Sequence, residues 1–466
     1  MGKEYSNREE LLKTAQNALH IPFGELDKTN RLHSIKGGIG QTVEENVFEY
    51  TLNSDSEPDI PNLGIDIKTA GVIKNKSGEY RAKERLVLNI INYMTENLES
   101  FKDSHFWHKN KELLIMFYEY LKDGTPKTLW EFFNYIDYRW PEEDLLIVKH
   151  DWETIVKKIR DGKAHELSES DTMYLGACTK GATAETSLRK QPYSDIKAKQ
   201  RTYSLKQSYM SYLVNEYLFG NKQSEKIITS NSELTTKTFD EIIFDRVKPY
   251  IGKTQKELVR LLGVIPSKQT NASIINKIFK LNGDIANTEE FQKANIIPKT
   301  VRIETNGTIK EHMSFPVFKF KEIINQTFEE SDFGYTLSTG RFMFAIFKKV
   351  DDTEENSIFK GIKFWRMPYE DLIEAQRCWE TTKHIVAEGV KLDPTSNGFS
   401  NNLPGAKENR VSHVRPHASK SYYKFGNIYE KGNSSDGDEL PDGRWMTKQC
   451  FWLNKDYIKS ILENED

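Results

Sequence analysis

The second half of this chain repeats the first, and a repeat of this length narrows the possible folds more than any other feature. With Asp66-Ile67-Lys68-Thr69 set opposite Ile297-Pro298-Lys299-Thr300, residues 271–280 fall opposite 40–49 without a gap, and Phe279 lands on Phe48. Residues 112–120 (ELLIMFYEY) recur as 341–349 (RFMFAIFKK), 174–182 as 413–418, and 201–214 as 448–462, all in the same order. A period this long means a duplicated domain, not a solenoid. The chain's 466 residues suffice for two domains that each bury a core. The reading is an α/β (α+β) protein of two tandem domains, each a mixed β-sheet flanked by helices. The polar stretch 223–238 is the expected linker, dividing 1–222 from 239–466.

The first copy carries the more suggestive chemistry. Ile39, Val43 and Val47 recur at i, i+4 and i+8, which predicts a helix with one apolar stripe and Glu44 at its edge. A polar, turn-rich stretch runs from Asn53 to Pro58. Residues 63–73 then alternate, so that Ile65 and Ile67 point one way and Asp66 and Lys68 the other. Phosphodiester hydrolysis needs a divalent metal to neutralise the phosphate and activate a water. Magnesium takes one or two carboxylates and keeps water or phosphate oxygens otherwise. Asp59 and Asp66 are candidate carboxylates, and the main-chain carbonyl of Ile67 is a candidate further ligand. Lys68 shares a strand face with Asp66, where an ammonium can orient the water or stabilise developing charge. Taken alone the pattern is promiscuous, because Asp-x-Lys in a strand is usually a solvated ion pair.

Net charge is −3, from 66 basic and 69 acidic residues, which speaks weakly against nucleic acid as a partner. The distribution differs from the total. Residues 172–215 hold seven basic side chains (Lys180, Arg189, Lys190, Lys197, Lys199, Arg201 and Lys206) against Glu185 and Asp195, a local balance of +5. Tyr193, Tyr203 and Tyr209 are interleaved with them, and Lys180 lies in a Gly-bounded turn with Gly181. Such a stripe can follow a phosphate backbone. Cys178, Cys378 and Cys450 are too scattered for a zinc site or a disulfide framework, which fits a reducing, cytoplasmic compartment. No secretory signal and no run of about 18 apolar residues is expected, hence no membrane.

Residues 36–45 (KGGIGQTVEE), followed by 58–70 (PDIPNLGIDIKTA) and 104–120 (SHFWHKNKELLIMFYEY), resemble the MutH-type endonucleases. Residues 83–93, 165–170, 188–201 and 445–459 resemble the large monomeric Type II restriction endonucleases that cleave at GATC, and the likeness covers nearly the whole chain. The resemblance implies two tandem MutH-like domains and a PD-(D/E)xK centre. In it Asp59, Asp66 and Lys68 are the carboxylate, carboxylate and lysine, Glu44 is the helix glutamate, and Lys109 is the lysine that approaches the centre. One departure is that the family commonly has Glu where this chain has Asp66. It implies Mg2+ as cofactor, double-strand cuts in duplex DNA at GATC with 5′-phosphate ends, and a cognate methyltransferase in the same system. It also implies a monomer that dimerises, if at all, on DNA.

For DNA reading the resemblance favours Lys180, Tyr203 and Lys206, with Arg189, Gln191 and Arg201 beside them and Glu84 as a weaker base contact. In the second copy Ile275, Glu290, Ile297 and Lys299 face Glu44, Asp59, Asp66 and Lys68. One remaining carboxylate cannot hold the metal, so this half is expected not to cut. Similar enzymes use it to bind another recognition site as an allosteric effector, the Type IIE behaviour. Arg415, His417, Lys448 and Lys455 would serve such a site. His413 and His417 lack a third metal ligand. Two rivals stay open: a MutH-like strand-nicking mismatch-repair endonuclease, and a non-catalytic GATC-binding protein.

Overall fold

The structure, a computed structural model, describes residues 3–33, 37–50, 57–74, 80–121, 124–180, 187–220, 224–396 and 398–463. The chain divides into two compact units, Met1–Ile243 with Ala286–Asn295, and Phe244–Ile285 with Ile296–Asp466. This boundary differs from the expected one. Within 223–238, Ile227 and Ile228 are buried. Both amides donate to the Glu290 carboxylate at 2.7–3.0 Å, and Asn231–Leu234 forms a short helix. Most of this polar stretch is therefore a packed part of the first unit, held by a segment that arrives some sixty residues later. Residue 223, at its start, lies outside the described residues.

The strands of the first unit are β1 (Ile65–Lys74), β2 (Tyr80–Ala82), β3 (Leu86–Ile90), β4 (Glu112–Glu119), β5 (Phe132–Arg139), β6 (Leu175–Thr179), β7 (Leu188–Gln191), β8 (Ser194–Lys199) and β9 (Arg201–Leu205). They form a mixed sheet in the order β2-β1-β4-β5, in which only β1 and β4 are parallel. A second sheet runs β3-β9-β6, and β7 pairs with β8 alone. β4 is apolar on both faces because both faces are covered, and Leu113 to Phe117 are wholly inaccessible.

In the second unit the strands are β10 (Ile296–Ile303), β11 (Met313–Val317), β12 (Arg341–Lys348), β13 (Ile358–Trp365), β14 (Leu392–Thr395), β15 (Gly398–Asn401), β16 (Ser412–Pro416), β17 (Tyr423–Phe425), β18 (Tyr429–Lys431), β19 (Gly437–Glu439), β20 (Trp445–Thr447) and β21 (Gln449–Leu453). The sheet β10-β12-β13 repeats β1-β4-β5, with the first pair parallel and the second antiparallel, and β11-β21-β16 repeats β3-β9-β6. The repeat reaches single atoms. Pro141 and Pro368 each open a long helix, Glu142–Arg160 and Tyr369–Glu388. The third residue of each, Asp144 or Asp371, accepts a 2.6 Å hydrogen bond from the hydroxyl of Tyr209 or Tyr457. The sheets β14-β15 and β18-β17-β20-β19 belong to the second unit only. No helix among the described residues is long and apolar enough to cross a membrane.

Candidate active site

A tight turn brings the two aspartates together. Ile60 and Ile65 exchange backbone hydrogen bonds across Pro61-Asn62-Leu63-Gly64, and Gly64 takes φ +66°, where a side chain would be strained. Asp59 therefore lies beside the first residues of β1. Its amide donates to Asp66 Oδ1 at 3.3 Å, and the Ile67 amide donates to Asp59 Oδ2 at 3.0 Å. The expected alternation is present: Ile65 and Ile67 enter the core with Leu114 and Met116, while Lys68 forms an ion pair with Asp66 Oδ2.

Lys109 arrives from the helix His105–Asn110, just ahead of Glu112, the parallel partner of Ile65. Its Nζ lies 3.6 Å from Asp66 Oδ1 and 3.9 Å from Asp59 Oδ1, and it donates to the Glu57 carbonyl at 2.9 Å. Glu44 is not on a regular α-helix throughout. The helix Gly38–Thr42 passes into a π-turn, Val43–Val47, which carries it. The matching helix of the second copy, Thr270–Ile278, has no such turn. Single π-turns of this kind are frequent at functional sites.

The electrostatics are those of a crowded anionic site. Asp66 is fully buried and Asp59 nearly so. Burial, with the Asp66 charge next in weight, pushes Asp59 up to about 7. Burial also raises Glu44. For Lys68 burial disfavours the charge, but Asp66, Asp59 and Glu44 outweigh it and hold the lysine above its ordinary value. Three carboxylates thus face two ammonium groups, with the Lys68 ammonium paired to Asp66 Oδ2. Hard oxygen donors short of positive charge fit a divalent cation. Among the described residues no three His, Cys, Asp or Glu side chains converge on one point, so backbone, water or phosphate oxygens would complete such a shell. A cleft of about 260 Å³ opens beside it, lined among others by Glu44, Lys68, Thr69, Glu84 and Arg85.

The expected DNA-reading residues separate into two groups. Lys180, Arg189 and Glu84 are exposed, though Gly181 and the turn after Lys180 lie outside the described residues. Tyr203, Lys206, Gln191 and Arg201 are placed differently from the surface positions expected of them. Tyr203 is fully buried and donates to Glu96 Oε2 at 3.0 Å. Lys206 is 3% exposed and donates to the Thr172 carbonyl. Gln191 is buried and accepts from the Ala164 amide at 2.7 Å. Arg201 is half-buried and spends its guanidinium on the Ala177 carbonyl at 2.6 Å. Arg85, which lines the cleft and pairs with Glu169, was not expected. Its signal was its place beside Glu84 in Lys83-Glu84-Arg85.

In the second copy Ile275 is buried, and Lys299 is half-buried with no carboxylate beside it among the described residues, so burial alone lowers it. Glu290 lies in the first unit, where its carboxylate accepts from the Ile227 and Ile228 amides. Arg415 and His417 are exposed and both lie against Trp452, at 5.0 and 5.6 Å from its ring. Lys448 donates to the Ser435 carbonyl at 2.6 Å, and the Lys455 amide donates to His312 Nδ1 at 3.0 Å. His413 is buried against Asn454.

Comparison with known proteins agrees with this architecture. Residues 48–151 match the family model described as DNA mismatch repair enzyme MutH. The Type II restriction enzyme Sau3AI of Staphylococcus aureus is 37% identical over 493 aligned positions, covering 99% of each chain. The DNA mismatch repair protein MutH of Shewanella woodyi is 26% identical over 184 positions, 38% of this chain and 77% of that protein.

Proposed function

Because the chain belongs to the MutH-like Type II restriction endonucleases, we propose that it cuts both strands of duplex DNA at GATC from one centre in the first unit, leaving 5′-phosphate ends. The observation that carries this reading is the mutual clamp of Asp59 on the first residues of β1, with Lys68 and Lys109 against the same carboxylates. GATC as the site, and an effector role for the second unit, rest on the sequence resemblance.

Asp59, Asp66 and the Ile67 carbonyl would hold Mg2+. When bound, the ion neutralises the scissile phosphate and lowers the pKa of the attacking water. Lys68 orients that water from the strand face it shares with Asp66 and stabilises the charge that develops. Glu44 adds a carboxylate at the cleft wall, and Lys109 holds Asp59 and Asp66 in place. Lys180, Arg189 and Glu84 contact DNA. The second unit, with isoleucine at two carboxylate positions, binds a second GATC through Arg415, His417, Lys448 and Lys455 without cutting. A methyltransferase of the same system protects the host's own sites.

Supercoiled plasmids with one or two GATC sites, digested with magnesium and mapped at the ends, test this reading. Linear fragments with 5′-phosphates at GATC are expected, formed faster from the two-site plasmid. Persistent open circles would favour the strand-nicking alternative, and binding without any magnesium-dependent cut would favour a non-catalytic GATC-binding protein.

A further inference from the structure

We propose that the hairpin β7–β8 is a DNA-groove ribbon, with Tyr193 at its tip making apolar contact with the bases. This rests on the reading of the chain as a DNA endonuclease and adds the element that fills the groove.

The hairpin pairs Leu188 with Lys199, Arg189 with Ala198 and Gln191 with Ser194. Two strands alone cannot bury a core, so this pair needs anchoring from outside itself. Gln191 and Ala198 face inward and are buried. Gln191 accepts from the Ala164 amide and donates to the Ile196 carbonyl, tying the tip to both flanks. The tip itself is seated closely. A Cβ on Gly162 would lie 2.7 Å from the Tyr193 carbonyl oxygen, so only glycine allows this approach. The apolar side chains that should assist anchoring do not. Tyr193 is 73% exposed, Ile196 57% and Leu188 41%.

Tyr193 is also in an unusual conformation. It follows Pro192 in a two-residue turn and takes φ +60°, where glycine or asparagine is ordinary. A tyrosine held there, exposed, and on a tip fixed from behind does nothing for the fold that glycine would not do better. Backbone strain of this kind clusters where a ligand is gripped.

The charge selects the ligand. Arg189, Lys190, Lys197 and Lys199 are exposed along the two strands, against Asp195 alone, on a chain whose net charge is −3. A second copy of the same hairpin would repel it. A two-stranded ribbon has the width of the major groove, where lysine and arginine take phosphates and apolar groups meet base edges and thymine methyls.

The test measures binding of the full chain to a GATC duplex and to a mixed-sequence duplex, with calcium in place of magnesium. Y193G keeps the turn, because glycine favours φ +60°. Its expected result is affinity about tenfold weaker on whichever duplex the wild type binds, with a melting temperature no lower than wild type and an unchanged salt slope. K190A and K197A should each flatten the slope of log K against log salt by about 1. If Y193G bound within twofold of wild type, or if K190A and K197A left the slope unchanged, the hairpin would not be a DNA ribbon. A wild type that binds the mixed duplex but leaves GATC plasmid uncut when magnesium is supplied would overturn the proposed function and leave this comparison readable. A wild type that binds neither duplex overturns both.

Discussion

The Ile67 amide donates a 3.0 Å hydrogen bond to Asp59 Oδ2, and the residue in its place in the second copy is Pro298, which has no N–H to give. The bond gives Asp59 two separable duties, fixing the start of β1 and supplying negative charge. Asp59→Asn separates them, since an amide oxygen still accepts from Ile67 while the charge is gone. We expect Asp59→Asn to fold with near wild-type stability and to bind its duplex. Its single-turnover cleavage should fall on the order of a thousandfold, the scale of several kcal/mol of transition-state stabilisation. A wild-type cleavage rate would remove Asp59 from the centre.

Glu96 predicts a pH dependence far from that centre. It is 1% exposed, and burial pushes it up to about 7 despite the hydrogen bond it accepts from Tyr203. The folded state therefore holds the proton more tightly than the unfolded state. Its contribution is fully present below about pH 4.5 and declines as pH rises towards 7. Glu96→Gln, which stays neutral, should flatten this part of the profile. Urea denaturation at intervals from pH 4.5 to 8 measures it, and parallel wild-type and variant curves would show that Glu96 does not titrate there.

The repeat, the alternation of β1 and the grouping of Asp59 with Asp66 and Lys68 as candidates were legible in the residues, because they follow from period and from a turn ahead of the strand, whereas the approach of Lys109 was implied by the resemblance alone. What was not legible depends on partners distant in the chain. A tyrosine on a basic stripe reads as surface until Glu96, 107 residues away, takes its hydroxyl inside. The polar stretch after residue 223 reads as linker until Glu290 captures the amides of Ile227 and Ile228. The π-turn under Glu44 has no signature in the apolar stripe, which a regular helix would satisfy equally.

Lys293 shows how much the late segment Ala286–Asn295 matters to the first unit. Its side chain is 2% exposed, and its Nζ lies 2.7 Å from Asp144 Oδ2 and 2.6 Å from Glu289 Oε1 and sits over the ring of Tyr212 at 4.9 Å. Breaking a buried pair by removing one partner leaves the other charge without compensation, at about 3–5 kcal/mol. Lys293→Met should cost that much in urea denaturation, although methionine fills similar space. A loss under about 1 kcal/mol would mean that water reaches Asp144.

The second copy should resist repair by its carboxylates alone. Ile275→Glu and Ile297→Asp would return two acids to the positions of Glu44 and Asp66. Three obstacles remain. Pro298 cannot clamp an acid as Ile67 clamps Asp59. Glu290 is 4% exposed and already accepts from Ile227 and Ile228. The helix Thr270–Ile278 has no π-turn to carry the new glutamate. In an Asp66→Ala background, which silences the first unit, the doubly repaired chain should leave supercoiled GATC plasmid intact with magnesium. Any linear or open-circular product that depends on Lys299 would show that two carboxylates and a lysine suffice, and that the clamp on Asp59 is dispensable.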